Sequence, residues 1–174
     1  MKKRSEADVK DTWKLEDMVA EDGLWEQMFK EASGEINEYA SYKGRLADSA
    51  DTLYACLSFD DRLSQKIERL YVYARMRSDE DTTVQRYQDM FSRVQTLSYR
   101  AAENSSFLVP EILSMDRELL DRYMETDNGI SHFKRALEII LARRDHTLSA
   151  EMEELLAQSY DATQGASQIF TMFN

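Results

Sequence analysis

Apolar residues recur every three or four positions along most of the chain, which is the periodicity of amphipathic helices. The first such segment predicts a helix over residues 21–42, with Trp25 and Ile36 on its inward face. Gly44 follows it, and glycine commonly ends a helix because it tolerates a left-handed backbone. Trp13 and Leu15 precede this helix, and we expect both side chains to pack against the core.

Two longer helical segments follow. We expect the second helix to begin with Asp48 as its N-cap, since aspartate is a preferred capping residue. The adjacent pair Asp60 and Asp61 is expected to kink or restart this helix. A third helix is predicted over residues 82–105. Elements of this length with short connections indicate an elongated helical bundle or hairpin.

The pattern changes between residues 105 and 110. We predict an extended segment from Phe107 to Pro110, because a residue before proline avoids the helical region. Pro110 itself suits the first turn of a helix. The chain is therefore predicted to be all-α, with a helical bundle region at residues 1–106 and a smaller helical subdomain at residues 107–174. The subdomain has predicted helices over residues 116–123 and 130–144 and from Ser149 onward.

The composition disfavours several kinds of binding partner. With 22 basic and 33 acidic residues, the chain has a net charge of −11. This charge disfavours nucleic acid, whose binding depends on neutralising phosphates, and it also disfavours anionic membranes. No apolar run approaches the ~20 residues of a membrane span. The single cysteine, Cys56, lies among apolar residues, which indicates a buried thiol and suits a reducing cytoplasm.

No catalytic or metal centre is evident in the sequence. The only two histidines, His132 and His146, bracket one predicted helix, which separates them by roughly 20 Å. Neither has a glutamate three residues earlier, since Gly129 and Arg143 occupy those positions, so a di-iron helical bundle is disfavoured. The H-E-x-x-H zinc motif and the phosphate-binding glycine motifs are absent. We therefore predict no catalytic residue and no metal ligand in this chain.

The carboxyl end of the sequence is unusually apolar. Ile169, Phe170, Met172 and Phe173 fall within its last six residues. Ends of domains are usually polar and frayed. Either a last helix packs these residues onto the core, or the chain has been cut from a longer protein.

Four segments, in this order and spacing, resemble the amino-terminal part of oligoendopeptidase F, a cytoplasmic zinc metallopeptidase of the thimet-oligopeptidase-like family. The resemblance that these segments mark extends over nearly the whole chain from Trp13 onward. Their sequences are TWKLEDM, YKGRLADSADTL, KIERLYVYARMRSDEDT and ARRDHTLSAEMEELLA.

The resemblance implies a non-catalytic amino-terminal portion of a longer hydrolase, a metalloendopeptidase that cleaves internal bonds of oligopeptides. In that family zinc is held by a motif beyond the matching region, so none of its ligands has a counterpart here. The implied partners are oligopeptide substrates and a carboxy-terminal catalytic domain in the same chain. The family's amino-terminal helices form part of the wall of a deep substrate cleft.

Three residues of the segment YVYARMR are candidates for that wall. Leu70, Tyr71 and Ala74 continue the predicted inward face, so Tyr73, Arg75 and Arg77 are expected to point elsewhere. The functional hypothesis is that these three side chains line the substrate cleft of the complete enzyme. The alternative is a solvated face on which the arginines pair with the acidic residues at positions 79–81. The main alternative function for the whole chain is an independent acidic helical module for protein interaction.

Overall fold

The computed structural model describes residues 8, 10, 12–125 and 129–144. No strand occurs in these ranges, so the all-α prediction is confirmed. Short 3-10 segments span Leu15–Asp17, Ile36–Ser41 and Ile130–Phe133. The α-helices of the described part are α1 (Asp22–Glu35), α2 (Ala50–Glu80), α3 (Gln85–Ser105), α4 (Leu108–Ser114), α5 (Arg117–Glu125) and α6 (Lys134–Ala142).

The first helical segment lies where its periodicity predicted. It comprises α1 and the 3-10 segment Ile36–Ser41, and its buried side chains are Trp25, Ala32, Ile36 and Tyr39. Gly44 follows with a φ of +79°, the left-handed conformation expected of a terminating glycine. Upstream, Leu15 is buried as predicted, but the prediction for Trp13 was wrong because 78% of that residue is exposed.

Helix α2 begins one residue later than predicted and runs without a break. Its N-cap is Ser49, not Asp48, and the Ser49 hydroxyl accepts a 3.0 Å hydrogen bond from the Thr52 amide. The predicted kink at Asp60 and Asp61 was also wrong. Buried apolar residues continue at helical spacing on both sides of this pair, and the two carboxylates occupy the less buried face, where they do not interrupt the helix.

Helices α1, α2 and α3 share one core. The indole N–H of Trp25 in α1 donates a 2.9 Å hydrogen bond to the Leu70 carbonyl of α2, so this fully buried ring has its polar group satisfied. Helix α3 buries Met90, Val94 and Leu97 against the same core. The hairpin formed by α2 and α3 agrees with the predicted arrangement of long helices.

The segment before Pro110 is helical, which corrects the prediction of an extended chain. Phe107 has φ −74° and ψ −21°, and α4 begins at the next residue. Pro110 occupies the third position of α4, so its predicted place in a first turn is confirmed. Amides in the first turn of a helix need no carbonyl partner within it, so proline removes no hydrogen bond there. Burial of Leu108 and Ile112 favours the helix over the local preference for an extended chain.

Helix α4 also holds the loop before α2. The two carboxylate oxygens of Glu111 accept hydrogen bonds from the amides of Gly44 and Leu46, each 2.8 Å long. The Tyr123 hydroxyl of α5 donates to the Ala47 carbonyl at 2.9 Å. These hydrogen bonds give partners to two loop amides and one loop carbonyl, which need partners outside the regular hydrogen bonds of a helix.

The fold separates into two compact units. One comprises residues 1–134 and contains α1 to α5, and the other comprises residues 135–174. In α6 the buried residues are Leu137 and Leu141. The proposed division at residues 106 and 107 stays a prediction. The predicted helix from Ser149, His146 and the apolar residues near the carboxyl end lie outside the described residues.

Candidate functional site

The predicted inward face near the end of α2 was partly wrong. Tyr73, which was expected to point away from the core, is only 1% exposed, whereas Tyr71, which was expected to point inward, is 36% exposed. The reason is the adjacent packing: Tyr73 lies on the side of α2 that faces α1, where its hydroxyl donates a 2.9 Å hydrogen bond to Asp22. The proposed substrate role of Tyr73, Arg75 and Arg77 stays a prediction.

Arg77 is the centre of a polar cluster beside Tyr73, which we call the Arg77 cluster. Arg77 donates to the Tyr73 hydroxyl at 3.2 Å, to Glu80 at 3.0 Å and to Glu16 at 2.6 Å. Asp22 completes the cluster through Tyr73. The Arg77 cluster thus links the segment before α1, the first residue of α1 and the last turns of α2.

The electrostatics of this cluster favour the charged form of Arg77. Burial alone would lower the pKa of the Arg77 guanidinium, but its hydrogen bonds with Tyr73, Glu16 and Glu80 outweigh burial and raise the pKa. Burial raises the pKa of the Tyr73 phenol, although the hydrogen bond from Arg77 opposes this effect. Both side chains are therefore held in their ordinary protonation states, which suits a structural tie more than proton transfer.

Arg75 lies on the exposed side of α2. It pairs with Asp79 at 2.9 Å, as the alternative of a solvated face predicted, and its guanidinium lies 5.1 Å from the centroid of the Phe91 ring. The Phe91 ring in turn contacts Tyr71 edge to face, with the centroids 5.2 Å apart. Of the three predicted residues, Arg75 is exposed, Arg77 is partly buried and Tyr73 is buried.

An open groove of about 420 Å³ runs between α2 and α3, and we call it the α2–α3 groove. It exists because small side chains face one another across the hairpin: Ser64 on α2, and Ser98, Ala101 and Ser105 on α3. The Ser98 hydroxyl donates to the Val94 carbonyl of its own helix, so it does not bridge the gap. Besides these serines, the polar and aromatic residues of the groove are Tyr39, Asp60, Glu68 and Tyr71.

The sequence interpretation missed this groove. The available signal was the spacing of small residues at positions 98, 101 and 105 of α3, which leaves a shallow stripe on one helix face. That signal indicates a groove only when the register of α3 against α2 is known. Register depends on side-chain packing between the helices and is not fixed by periodicity within one of them.

The described residues do not fit a metal site. No group of three or more His, Cys, Asp or Glu side chains within residues 8, 10, 12–125 and 129–144 is placed to hold an ion. His132 lies in the 3-10 segment Ile130–Phe133 and is exposed, while His146 is outside the described residues. Within the same ranges, none of the helices has both the length and the apolar character needed to cross a bilayer.

Comparison with known proteins gives consistent matches. The sequence model of the Oligopeptidase F family matches residues 111–174. The chain is 37% identical to Oligopeptidase PepF of Bacillus subtilis, over 98% of this chain and 26% of that protein. It is 33% identical to Group B oligopeptidase PepB of Streptococcus agalactiae, over 96% of this chain and 27% of that protein. The chain thus spans about a quarter of the length of these curated relatives.

A solved structure supports the same relationship. The crystal structure of oligoendopeptidase-F from Enterococcus faecium superimposes with a TM-score of 0.70 at 28% identity, over 88% of this chain and 30% of that one. The sequence matches extend along nearly the whole chain, and the structural match covers most of it. The chain is therefore similar, along nearly its whole length, to the amino-terminal portion of oligoendopeptidase F proteins.

Proposed function

We propose that this chain is the non-catalytic amino-terminal portion of a zinc-dependent oligoendopeptidase and forms part of the wall of its substrate cleft. The observation that carries the proposal is the 37% identity to Oligopeptidase PepF along 98% of the chain. In the proposed enzyme, a carboxy-terminal catalytic domain in the same chain hydrolyses internal peptide bonds of oligopeptides.

The length and the contacts of the α2–α3 hairpin suit a cleft wall. Helix α2 contains 31 residues, and at 1.5 Å per residue it is about 46 Å long. Trp25 and the Arg77 cluster tie it to neighbouring elements along this length. A rigid wall selects substrates by size, because a flexible oligopeptide enters a narrow cleft and a folded protein does not. The surface of the hairpin that is open to a peptide includes Arg75 and the α2–α3 groove.

Zinc belongs to this proposal only through the family. When bound, zinc would supply Lewis-acid activation of water for peptide hydrolysis. Since the described residues do not fit a zinc site, we assign no step of that chemistry to them. Their proposed contribution is to position the peptide and limit its access.

A cytoplasmic location is part of the same proposal. Cys56 is buried and unpaired, as expected for a chain that needs no disulfide. The acidic balance and the single thiol both suit a cytoplasmic peptidase.

The test is an assay of the full-length parent protein with internally quenched oligopeptides and with a folded protein of matched sequence composition. We expect chelator-sensitive cleavage at internal bonds of the oligopeptides, identified by mass spectrometry, and no cleavage of the folded protein. Absence of peptide cleavage, or removal of single residues from the peptide ends, would contradict the proposal. In the first case an interaction module becomes the better account.

A further inference from the structure

The α2–α3 groove carries an uncompensated negative charge. Asp60 and Glu68 are its two carboxylates, and no lysine, arginine or histidine is among the described residues that line it. The Tyr39 hydroxyl donates a 2.6 Å hydrogen bond to one oxygen of Asp60, which orients that carboxylate at one end of the groove. Glu68 is exposed and forms no ion pair or hydrogen bond with another described residue. The groove therefore complements a cationic ligand.

The spacing of these carboxylates limits the shape of that ligand. Asp60 and Glu68 are eight residues apart on one unbroken helix. At 1.5 Å per residue, their backbone positions are separated by about 12 Å along the helix axis. Tyr71 lies one turn beyond Glu68 and is 36% exposed, so an aromatic ring is accessible near this carboxylate. Aromatic rings attract cations through the negative charge of their faces.

An extended peptide has a matching repeat. It rises about 3.3 Å per residue, so four residues span about 13 Å, and side chains four positions apart lie on the same side. Two basic side chains at positions i and i+4 therefore reach the two carboxylates together, whereas adjacent basic residues point to opposite sides.

We propose that the α2–α3 groove binds an extended cationic oligopeptide, with one basic group at Asp60 and a second at Glu68 beside Tyr71. This inference rests on the proposed function and adds a substrate class to it, namely peptides with two basic residues four positions apart. A second copy of this chain is a poor occupant, because each copy carries a net charge of −11.

The test compares three quenched peptides of equal length in the full-length parent protein. One has lysines at i and i+4, one has them at i and i+1, and one has norleucine in place of both. We expect kcat/KM to be highest for the i, i+4 peptide, by roughly three- to tenfold over norleucine, as two partly exposed ion pairs allow. This preference should shrink when the salt concentration rises from 0.05 to 0.5 M.

Two single variants and their combination remove the negative charges of the two carboxylates separately and together. Glu68→Gln and Asp60→Asn should each reduce the ratio of kcat/KM between the i, i+4 peptide and the norleucine peptide, and the double variant should bring it close to one. Glu68→Gln is the more informative single change because Glu68 has no partner among the described residues whose loss would disturb folding. Asp61→Asn is the matched control: Asp61 is exposed on the same helix, accepts a hydrogen bond from Gln65 and does not line the groove.

The outcomes separate this inference from the proposed function. If the parent cleaves peptides but shows no i, i+4 preference, or keeps it in the double variant, the groove proposal is wrong and the peptidase proposal stands. If the parent cleaves no peptide, binding of the fluorescein-labelled i, i+4 peptide to it is measured by anisotropy. Binding that the double variant loses supports the groove, and absence of binding overturns it.

Discussion

Arg93 on α3 binds Glu26 on α1 through two hydrogen bonds, of 2.8 and 2.7 Å, one from each terminal nitrogen. The same guanidinium lies 4.5 Å from the centroid of the Phe29 ring and 5.3 Å from that of Trp25. Those two rings stack 5.1 Å apart. One arginine thus joins α1 to α3 through a paired charge and two aromatic contacts.

Removing this arginine should destabilise the chain. We expect Arg93→Ala to lower the free energy of unfolding by about 1–2 kcal/mol, since a bidentate pair and cation–π contacts are lost together. Urea unfolding followed by circular dichroism measures it. Arg117→Ala is the control, because its pair with Asp121 is an exposed contact within one helix, and this variant should change stability by less than about 0.5 kcal/mol. Equal losses in the two variants would contradict the role given to Arg93.

The Glu26 pair also predicts a dependence on pH. The hydrogen bond from Arg93 lowers the pKa of the Glu26 carboxyl below its ordinary value. A lowered carboxyl pKa stabilises the folded state above the unfolded pKa of about 4.3, and this contribution is lost as the pH falls through the folded value. The destabilisation caused by Glu26→Gln should therefore be largest near pH 7 and decrease below about pH 4.3. A loss of stability that grows toward acid pH would show that another group is responsible.

Substitutions at three glycines distinguish the cost of backbone strain from the cost of a steric clash. Gly129 has a φ of +90°, and a Cβ there would lie 2.6 Å from the Tyr54 ring, whereas Gly44 has a φ of +79° with open space around it. Gly34 lies within α1, with no atom within 4 Å of an added Cβ. We expect Gly129→Ala to cost about 2–3 kcal/mol and Gly44→Ala about 1 kcal/mol, while Gly34→Ala stabilises by about 0.5 kcal/mol. Urea unfolding of the three variants should give this order, and equal effects at Gly129 and Gly44 would exclude the clash with Tyr54.

Cys56 should be an inert thiol in the folded protein. Burial, followed by the charges of Asp60 and Glu111, raises the pKa of the thiol to about 12. At pH 8 we expect negligible modification by a disulfide reagent until the chain is unfolded in guanidinium, because the thiolate is the reactive form. A raised thiol pKa also means that its stabilising contribution is complete below about pH 8.5 and is lost as the pH rises toward 12. Rapid modification of the native protein at pH 8 would contradict this burial.

The fold was largely predictable from periodicity, and the errors have local causes. The three- and four-residue spacing of apolar residues around Trp25 and along α2 correctly predicted long amphipathic helices, because burial of one face determines them. The errors at Phe107 and the Asp60–Asp61 pair came from local preferences, which neighbouring buried residues override. The error at Asp48 was one residue, because serine and aspartate are similarly favourable N-caps.

The candidate site was less predictable than the fold. Tyr71 and Tyr73 are two positions apart, so a small error in the direction of the buried face exchanges their roles. Their exposure depends on where α1 packs against α2, and the Tyr73 contact with Asp22 links residues 51 positions apart in the sequence. Helical periodicity within α2 carries no information about such a contact.

The three predicted cleft residues can be tested separately in the full-length parent. Arg77→Ala should lower the melting temperature, because Glu16, Glu80 and the Tyr73 hydroxyl lose a shared partner. The expected decrease in the free energy of unfolding is about 1–3 kcal/mol. Tyr73→Phe should cost about 1 kcal/mol through the lost bond to Asp22. Arg75→Ala should leave stability within about 0.5 kcal/mol.

Peptide kinetics then distinguish a wall contact from a structural tie. If Arg75 touches substrate, kcat/KM for a short peptide falls in Arg75→Ala while the melting temperature stays at the parent value. Unchanged kcat/KM in all three variants, at temperatures where they remain folded, would reject a substrate contact. Arg75 would then belong to a solvated face, and Tyr73 and Arg77 would have only a structural role.

The most direct test of the central claim compares the 174-residue chain with its full-length parent. Both are purified, supplied with stoichiometric zinc and assayed on the same quenched fluorescent oligopeptide. We expect chelator-sensitive cleavage by the parent and none by the 174-residue chain. Chelator-sensitive cleavage by the 174-residue chain that persists through repurification would contradict the account, because it would place the active site within these residues.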